Sequence, residues 1–175
     1  MSGILYLCRK KLSHDCLKAI YFALAYSHLT YCVSLWGGTW TNHLRCVVVA
    51  QKRILRVITY ASRQERSLPL FIENNLLSVK YVFMYFTLLL MFKFVNLNYC
   101  GDIFRMKVIL RNTRNNQSTI QVPLFRTVRS QKSILFIGPK TWNALPFELR
   151  NITNLNTFKS KLKSYLFHQQ SLDLQ

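Results

Sequence analysis

The chain has 175 residues, enough for one domain of ordinary size or one compact domain plus an arm. Half of it is hydrophobic and 14% is aromatic, so a sizeable core can form and disorder throughout is excluded. Twenty-four Lys and Arg face six Asp and Glu, giving +18, a charge that repels itself and draws polyanions, with nucleic acid the first candidate and an anionic membrane surface the second.

The five cysteines, Cys8, Cys16, Cys32, Cys46 and Cys100, are widely spaced and form no C-x-x-C pair. An odd number at such spacings supports neither a zinc site nor a disulfide framework. Free, mostly buried thiols in a reducing compartment are expected. The apolar Met1 to Leu7 precedes Arg9, Lys10 and Lys11, the reverse of a secretory signal. The expected location is intracellular, in cytoplasm or nucleus.

In chain order, Ser13 is a good helix cap and Asp15 suits the positive end of the helix dipole. The apolar run from Leu17 to Trp36 then reads as one helix, stopped by Gly37 and Gly38, with His28 a satisfied core histidine. A second helix is predicted from about Thr41 to Tyr60. Val47, Ile54 and Ile58 fall on one face at helical spacing, and Arg45, Lys52 and Arg56 on the opposite one. Most charge stripes are solvated faces, but in so cationic a chain this one reads as a phosphate contact. Arg63 to Ser67 reads as a polar loop. A third helix is expected over about Leu76 to Leu97, where Lys80 and Lys93 bracket twelve uncharged residues.

Composition shifts after Gly101 to a basic, polar stretch, with Arg111 and Arg114 in an exposed loop. Thr119 to Thr127 could hold an edge strand, since Pro123 argues against a central one. Ser133 to Ile137 is a second strand candidate, ended by Gly138 and Pro139. A helical turn is predicted from Pro146 to Arg150, Pro being well placed at a first helical position. The last helix is expected over Asn156 to Phe167, with Leu155, Phe158, Leu162 and Leu166 as its apolar stripe and Lys159, Lys161 and Lys163 around it. The tail from His168 should fray.

The uncharged Tyr81 to Phe92 is shorter than the ~20 residues of a membrane span and has the length of a core helix. The six carboxylates, Asp15, Glu65, Glu73, Asp102, Glu148 and Asp173, include no adjacent pair, whereas two-metal nucleotidyl transfer needs a carboxylate cluster. His14, His28, His43 and His168 form no metal-binding pattern. Neither a metal nor a cofactor is expected.

Several segments in order carry a further signal. Ile20 to Tyr31 with Leu35-Trp36-Gly37, then Gln51-Lys52-Arg53-Ile54-Leu55-Arg56-Val57-Ile58, then Leu68-Pro69-Leu70-Phe71 with Asn75-Leu76-Leu77-Ser78-Val79, lead to Thr113-Arg114. Gly138-Pro139-Lys140-Thr141-Trp142-Asn143-Ala144-Leu145-Pro146 and Phe158-Lys159-Ser160-Lys161-Leu162-Lys163 close the series. Together, over about residues 4 to 167, they resemble the region that follows the reverse-transcriptase domain in jockey-like LINE (non-LTR) retrotransposons. That family's protein is an RNA-directed DNA polymerase. Its Phe/Tyr-x-Asp-Asp box, palm and fingers have no counterpart in this chain, so no catalytic residue carries over. The resemblance implies thumb-like helices and a C-terminal extension that grip template and primer backbones.

The expected fold is mainly α, a helical thumb-like bundle with a small irregular or β-containing C-terminal subdomain. The expected boundaries are 4–100 for the helical region, 101–132 for a basic linker, 133–167 for the Trp-Asn-x-Leu-Pro subdomain and final helix, and 168–175 for a disordered tail. The expected function is sequence-nonspecific binding of RNA or DNA backbone, without catalysis and without a small-molecule substrate. Candidate contacts are Arg45, Lys52, Arg53, Arg56, Arg111, Arg114, Lys159, Lys161 and Lys163. Trp36, Gly37, Trp142, Asn143, Leu145 and Pro146 read as structural. The missing palm is a further expected partner. A membrane-associated protein is a less favoured reading, and a non-functional transposon remnant is another.

Overall fold

A computed structural model of the chain describes residues 2–97, 99, 110–112 and 118–173. The chain is mainly α-helical, as the apolar periodicities predict. Its contacts divide it into two compact units. The first comprises Met1–Val33, Trp40–Val82 and Leu166–Gln175, and the second Ser34–Thr39 and Phe83–Tyr165. The division does not follow the expected 4–100, 101–132 and 133–167 boundaries, because two long helices each supply residues to both units.

The first unit opens with α1 (Ser2–Cys8) and α2 (His14–Ile20). Ser13 caps α2, its hydroxyl accepting from the Cys16 N–H at 3.5 Å, and Asp15 lies in the first turn. The apolar run beyond is not one helix. It passes through a π-helical stretch (Tyr21–Tyr26) and α3 (Ser27–Thr30), breaks, and resumes as α4 (Val33–Trp36). Ser27 Oγ donates to the Ala23 and Leu24 carbonyls at 2.7 and 3.1 Å, so side chain competes with backbone ladder. Cys32 marks the break with a left-handed φ of 48°.

A wider turn rotates the residues after it relative to a regular helix. His28 is accordingly exposed instead of lying in the core. The thiols also depart from expectation. Cys16, Cys32 and Cys46 are exposed and Cys8 is half-buried, all of them free. Cys32 sits at the helix break and Cys46 on the solvated side of the next helix, while Cys100 lies outside the described residues.

That next helix, α5 (Thr41–Ile58), follows its predicted periodicity. Ile54, Leu55 and Ile58 enter the core with Leu5, Leu17, Tyr21, Leu70 and Phe71, while Arg45 and Arg53 stay exposed. Helices α1, α2 and α6 (Ser67–Glu73) pack on α5. Each fully buried aliphatic or Phe side chain here contributes roughly 1.5–3 kcal/mol.

Two helix ends close through left-handed residues. Asn75, at φ 53°, follows α6, with its own N–H on the Ile72 carbonyl at 3.0 Å and the Leu76 N–H on the Phe71 carbonyl at 2.8 Å. This is a Schellman closure with Asn where Gly is commoner, and Leu76 and Phe71 share the core. Tyr60, at φ 57°, ends α5 in the same way, with the Ala61 N–H on the Arg56 carbonyl at 3.1 Å. A tyrosine in this conformation costs about 1–2 kcal/mol.

The start of α7 (Val79–Leu97) is capped by two buried glutamines. Gln51 Oε1 accepts from the Val79 N–H at 2.9 Å, while its Nε2 donates to the Leu77 carbonyl at 2.9 Å and the Tyr21 hydroxyl at 3.0 Å. Gln170 Oε1 accepts from the Ser78 N–H at 2.9 Å, and its Nε2 donates to the Leu76 carbonyl at 3.0 Å. Helix N-termini leave donors without intrahelical partners, and these side chains supply them.

Gln170 belongs to α10 (Leu155–Leu172), which continues well past the expected end at Phe167. The tail expected to be disordered from residue 168 is therefore helical to Leu172. Asp173 accepts from Lys80 Nζ at 2.9 Å and from the Tyr81 hydroxyl at 2.7 Å. Phe158, Leu162, Leu166 and Gln170, four residues apart, are all fully buried, so the buried stripe runs one turn further than its apolar part.

In the second unit, β1 (Leu110–Asn112) and β2 (Ser118–Ile120) pair antiparallel, Leu110 opposite Ile120. The strand expected at Ser133–Ile137 is instead the start of α8 (Ile134–Asn143). A run of four apolar residues is too short for its period to separate strand from helix. Gly138 and Pro139 do not end α8. Gly138 permits a close approach, since a Cβ there would lie 2.7 Å from Met91 Sδ. A Cβ on Gly38 would likewise lie 2.6 Å from the Lys132 carbonyl oxygen.

Trp142 is buried and sits 5.9 Å from the Phe158 ring, which stacks on Phe92 at 4.4 Å. Asn143 Oδ1 accepts from the Ile120 N–H at 3.0 Å and its Nδ2 donates to the Ile120 carbonyl at 2.7 Å, fastening β2 to the end of α8. Leu145 is buried, and Pro146 stands as the N-cap of α9 (Phe147–Arg150) with an extended ψ of 145°, one position before the first helical position expected of it, while Glu148 lies in the first turn. Trp36 is half-buried and Gly37 buried.

Helix α7 has 19 residues and a mean hydropathy of 1.4, so by length and composition it could cross a membrane, but half of that window is buried inside the protein. No position from Tyr81 to Val95 is fully exposed, as in a helix that is apolar all round and lies in a core.

Candidate nucleic-acid interface

The cationic side of α5 forms one wall of a groove of about 1300 Å³ in the first unit. The helix supplies Lys52, Arg53 and Arg56, one turn or less apart. Arg9, just past α1, and Arg63, in the loop after α5, bring two more cations to the same groove. Among the described residues, none that lines it is acidic. Arg53 also lines a second, smaller depression with Arg45 and Asn42, so the basic track continues along α5.

Internal contacts hold part of this wall in place. Arg56 donates through Nε and an Nη to the Glu65 carbonyl at 3.1 and 2.8 Å, tying helix to loop. Glu65 in turn accepts from the Ser62 N–H at 3.2 Å through Oε2. Arg56 was expected to meet phosphate directly. It still carries its charge into the groove, but the loop carbonyl holds one edge of its guanidinium. Arg9 stacks its guanidinium over the Tyr60 ring, 4.8 Å from the centroid. Tyr60 is fixed from the other end, its hydroxyl lying 2.8 Å from the Leu12 carbonyl and 3.2 Å from that of Arg9.

Of the candidates from sequence, Lys52, Arg53 and Arg56 come together in the groove and Arg45 lies in the adjoining depression. Lys159, Lys161 and Lys163 belong to the second unit, where Lys161 and Lys163 are exposed and Lys159 is half-buried. Arg114 and the side chain of Arg111 lie outside the described residues. Sequence reasoning missed Arg9, Arg63, Tyr6 and Tyr60. The basic run after Leu7 was the available signal for Arg9. Tyr6 and Tyr60 had none, being far apart in sequence and unremarkable in pattern.

The groove's lining is cationic, aromatic and aliphatic, with the Ser62 hydroxyl beside them. No group of three or more His, Cys, Asp or Glu placed to hold a metal occurs among the described residues. The shifted groups lie elsewhere. Burial raises the Tyr21 hydroxyl against a smaller lowering by Gln51, and burial followed by the bond to and charge of Asp173 raises Tyr81 strongly. Bonds from Lys80 and Tyr81 hold Asp173 below its usual value. The Asp173 bonds to Lys80 and Tyr81 join the end of α10 to the start of α7. No family model, curated protein or solved structure matches the chain.

Proposed function

We propose that these residues bind RNA or DNA backbones without sequence preference, as the C-terminal region of a non-LTR retrotransposon polymerase, and that they carry no catalysis of their own. The observation that supports this most is the groove along α5, where Arg9, Lys52, Arg53, Arg56 and Arg63 converge without an acidic neighbour in the lining. A polyanion with regularly spaced charges releases its counterions on such a surface, and that release drives binding.

The test is the salt dependence of affinity for a labelled duplex of arbitrary sequence. About six neutralised phosphates give a log–log slope near −5. Binding that does not change with salt would remove the phosphate grip. Equal affinity for unrelated duplexes is also expected, because charge contacts to the backbone carry no sequence information.

One observation favours a second reading, a membrane-associated protein. Helix α7 has the length and hydropathy of a span. Retention in membranes after alkaline extraction would support that reading, and release would count against it.

A further inference from the structure

The groove holds more than charge. Tyr60 and Tyr6 line it beside the cations, and both are about half exposed, at 47% and 57%. Tyr60 is also the residue with the least ordinary backbone in this wall. It holds φ 57°, a conformation that Gly or Asn adopts more cheaply. A glycine would close the α5 terminus with less strain. The tyrosine at this position therefore needs a reason, and strained residues cluster where a ligand is met.

Its side chain is held from two directions. The hydroxyl is bound at the Leu12 and Arg9 carbonyls, which fixes the tip, and the Arg9 guanidinium lies over one face of the ring. The ring is thus pre-positioned, yet about half of the residue stays exposed and it lines the groove. An aromatic ring held rigid in a groove that Arg53 and Arg63 also line has what an unpaired base needs: a stacking surface with phosphate partners in the same groove. A base inside a duplex already stacks on its neighbours and cannot use it.

Resting on the backbone-binding reading above, the geometry points to Tyr60, backed by Arg9, as a base-stacking platform, so that the groove takes unpaired strands of nucleic acid. Stacking is tolerant of base identity, which leaves the absence of sequence preference intact.

The experiment uses the full chain and two fluorescent strands of equal length and charge, oligo-dT and a wholly abasic strand. Base–aromatic stacking makes the oligo-dT bind about 5- to 150-fold tighter. Tyr60→Phe keeps the ring and should keep that advantage. Tyr60→Gly suits the backbone and should reduce the advantage at least about fivefold. Equal affinity of the two strands for the wild-type chain, with a steep salt slope, would overturn the platform and leave the phosphate grip standing. An undiminished oligo-dT advantage in Tyr60→Gly would overturn the assignment to Tyr60. Failure of both strands to bind wild type would instead strike the backbone-binding reading itself. The wild-type comparison decides even where a variant folds poorly.

Discussion

Replacing Gln51 by leucine probes the junction on which the first unit depends. The side chain is 2% exposed and makes three hydrogen bonds, to the Val79 N–H, the Leu77 carbonyl and the Tyr21 hydroxyl. Leucine fills a similar volume but leaves a buried donor at Val79 and a buried acceptor at Leu77 without partners. Each such group costs about 1–3 kcal/mol. The added apolar burial offsets about 1–2 kcal/mol of this sum. A net loss centred near about 2–3 kcal/mol follows, or about 5–10 °C in Tm for a chain of this size. Urea unfolding followed by circular dichroism measures it, with the m-value checked for change. Tyr21→Phe removes one partner and leaves the two backbone groups bonded, so its cost should stay near 1 kcal/mol. A Gln51→Leu loss below about 1 kcal/mol would refute the claim that this residue caps α7.

Three further outcomes are expected. Gln170 bonds the Ser78 N–H and the Leu76 carbonyl, so a chain ending at His168 should lose about 2–4 kcal/mol, whereas loss of a frayed tail would cost nothing measurable by the same urea titration. Trp142→Ala empties the space beside Phe158 and should cost about 3–5 kcal/mol, read as a shift in the urea midpoint. Tyr21, Tyr81 and Tyr85 have hydroxyls raised above the ordinary 10.0, chiefly by burial. Unfolded tyrosines release protons first, so stability should be intact below pH 10.0 and fall as pH rises beyond it, with a shallower fall in Tyr81→Phe.

How much of this was legible depended on the range of the interaction. Helix α5 was readable because its own apolar and cationic residues repeat at helical spacing over 18 residues. Within the groove, Lys52 and Arg56 were readable for the same reason, while Arg53 entered only through the Gln51–Ile58 segment of the resemblance. The π-helical stretch, the break at Cys32 and the exposure of His28 were not, because a run this uniformly apolar carries no period to mark where the helix widens or stops. The helix over Ile134–Asn143 was masked by Gly138 and Pro139, residues that ordinarily end helices. Close contact with Met91 gives that glycine another use. Tyr60 and Arg9 meet across a sequence gap of 51 residues, and no periodicity reports such a contact. Gln170 looked like polar tail because its buried role exists only once Leu76 and Ser78 are beside it.

The most direct test of the central claim is the salt slope of groove variants measured against a control from the second unit. Lys52→Gln, Arg53→Gln and Arg63→Gln each remove one groove charge. On duplex DNA each should flatten the log–log slope by about 0.9, and the three together by about 2.7. Lys161→Gln removes the same charge outside the groove. The triple variant should lose about half of the wild-type slope, and Lys161→Gln should leave it unchanged. A triple variant with the wild-type slope would contradict the account, because phosphate binding would then not run through this groove.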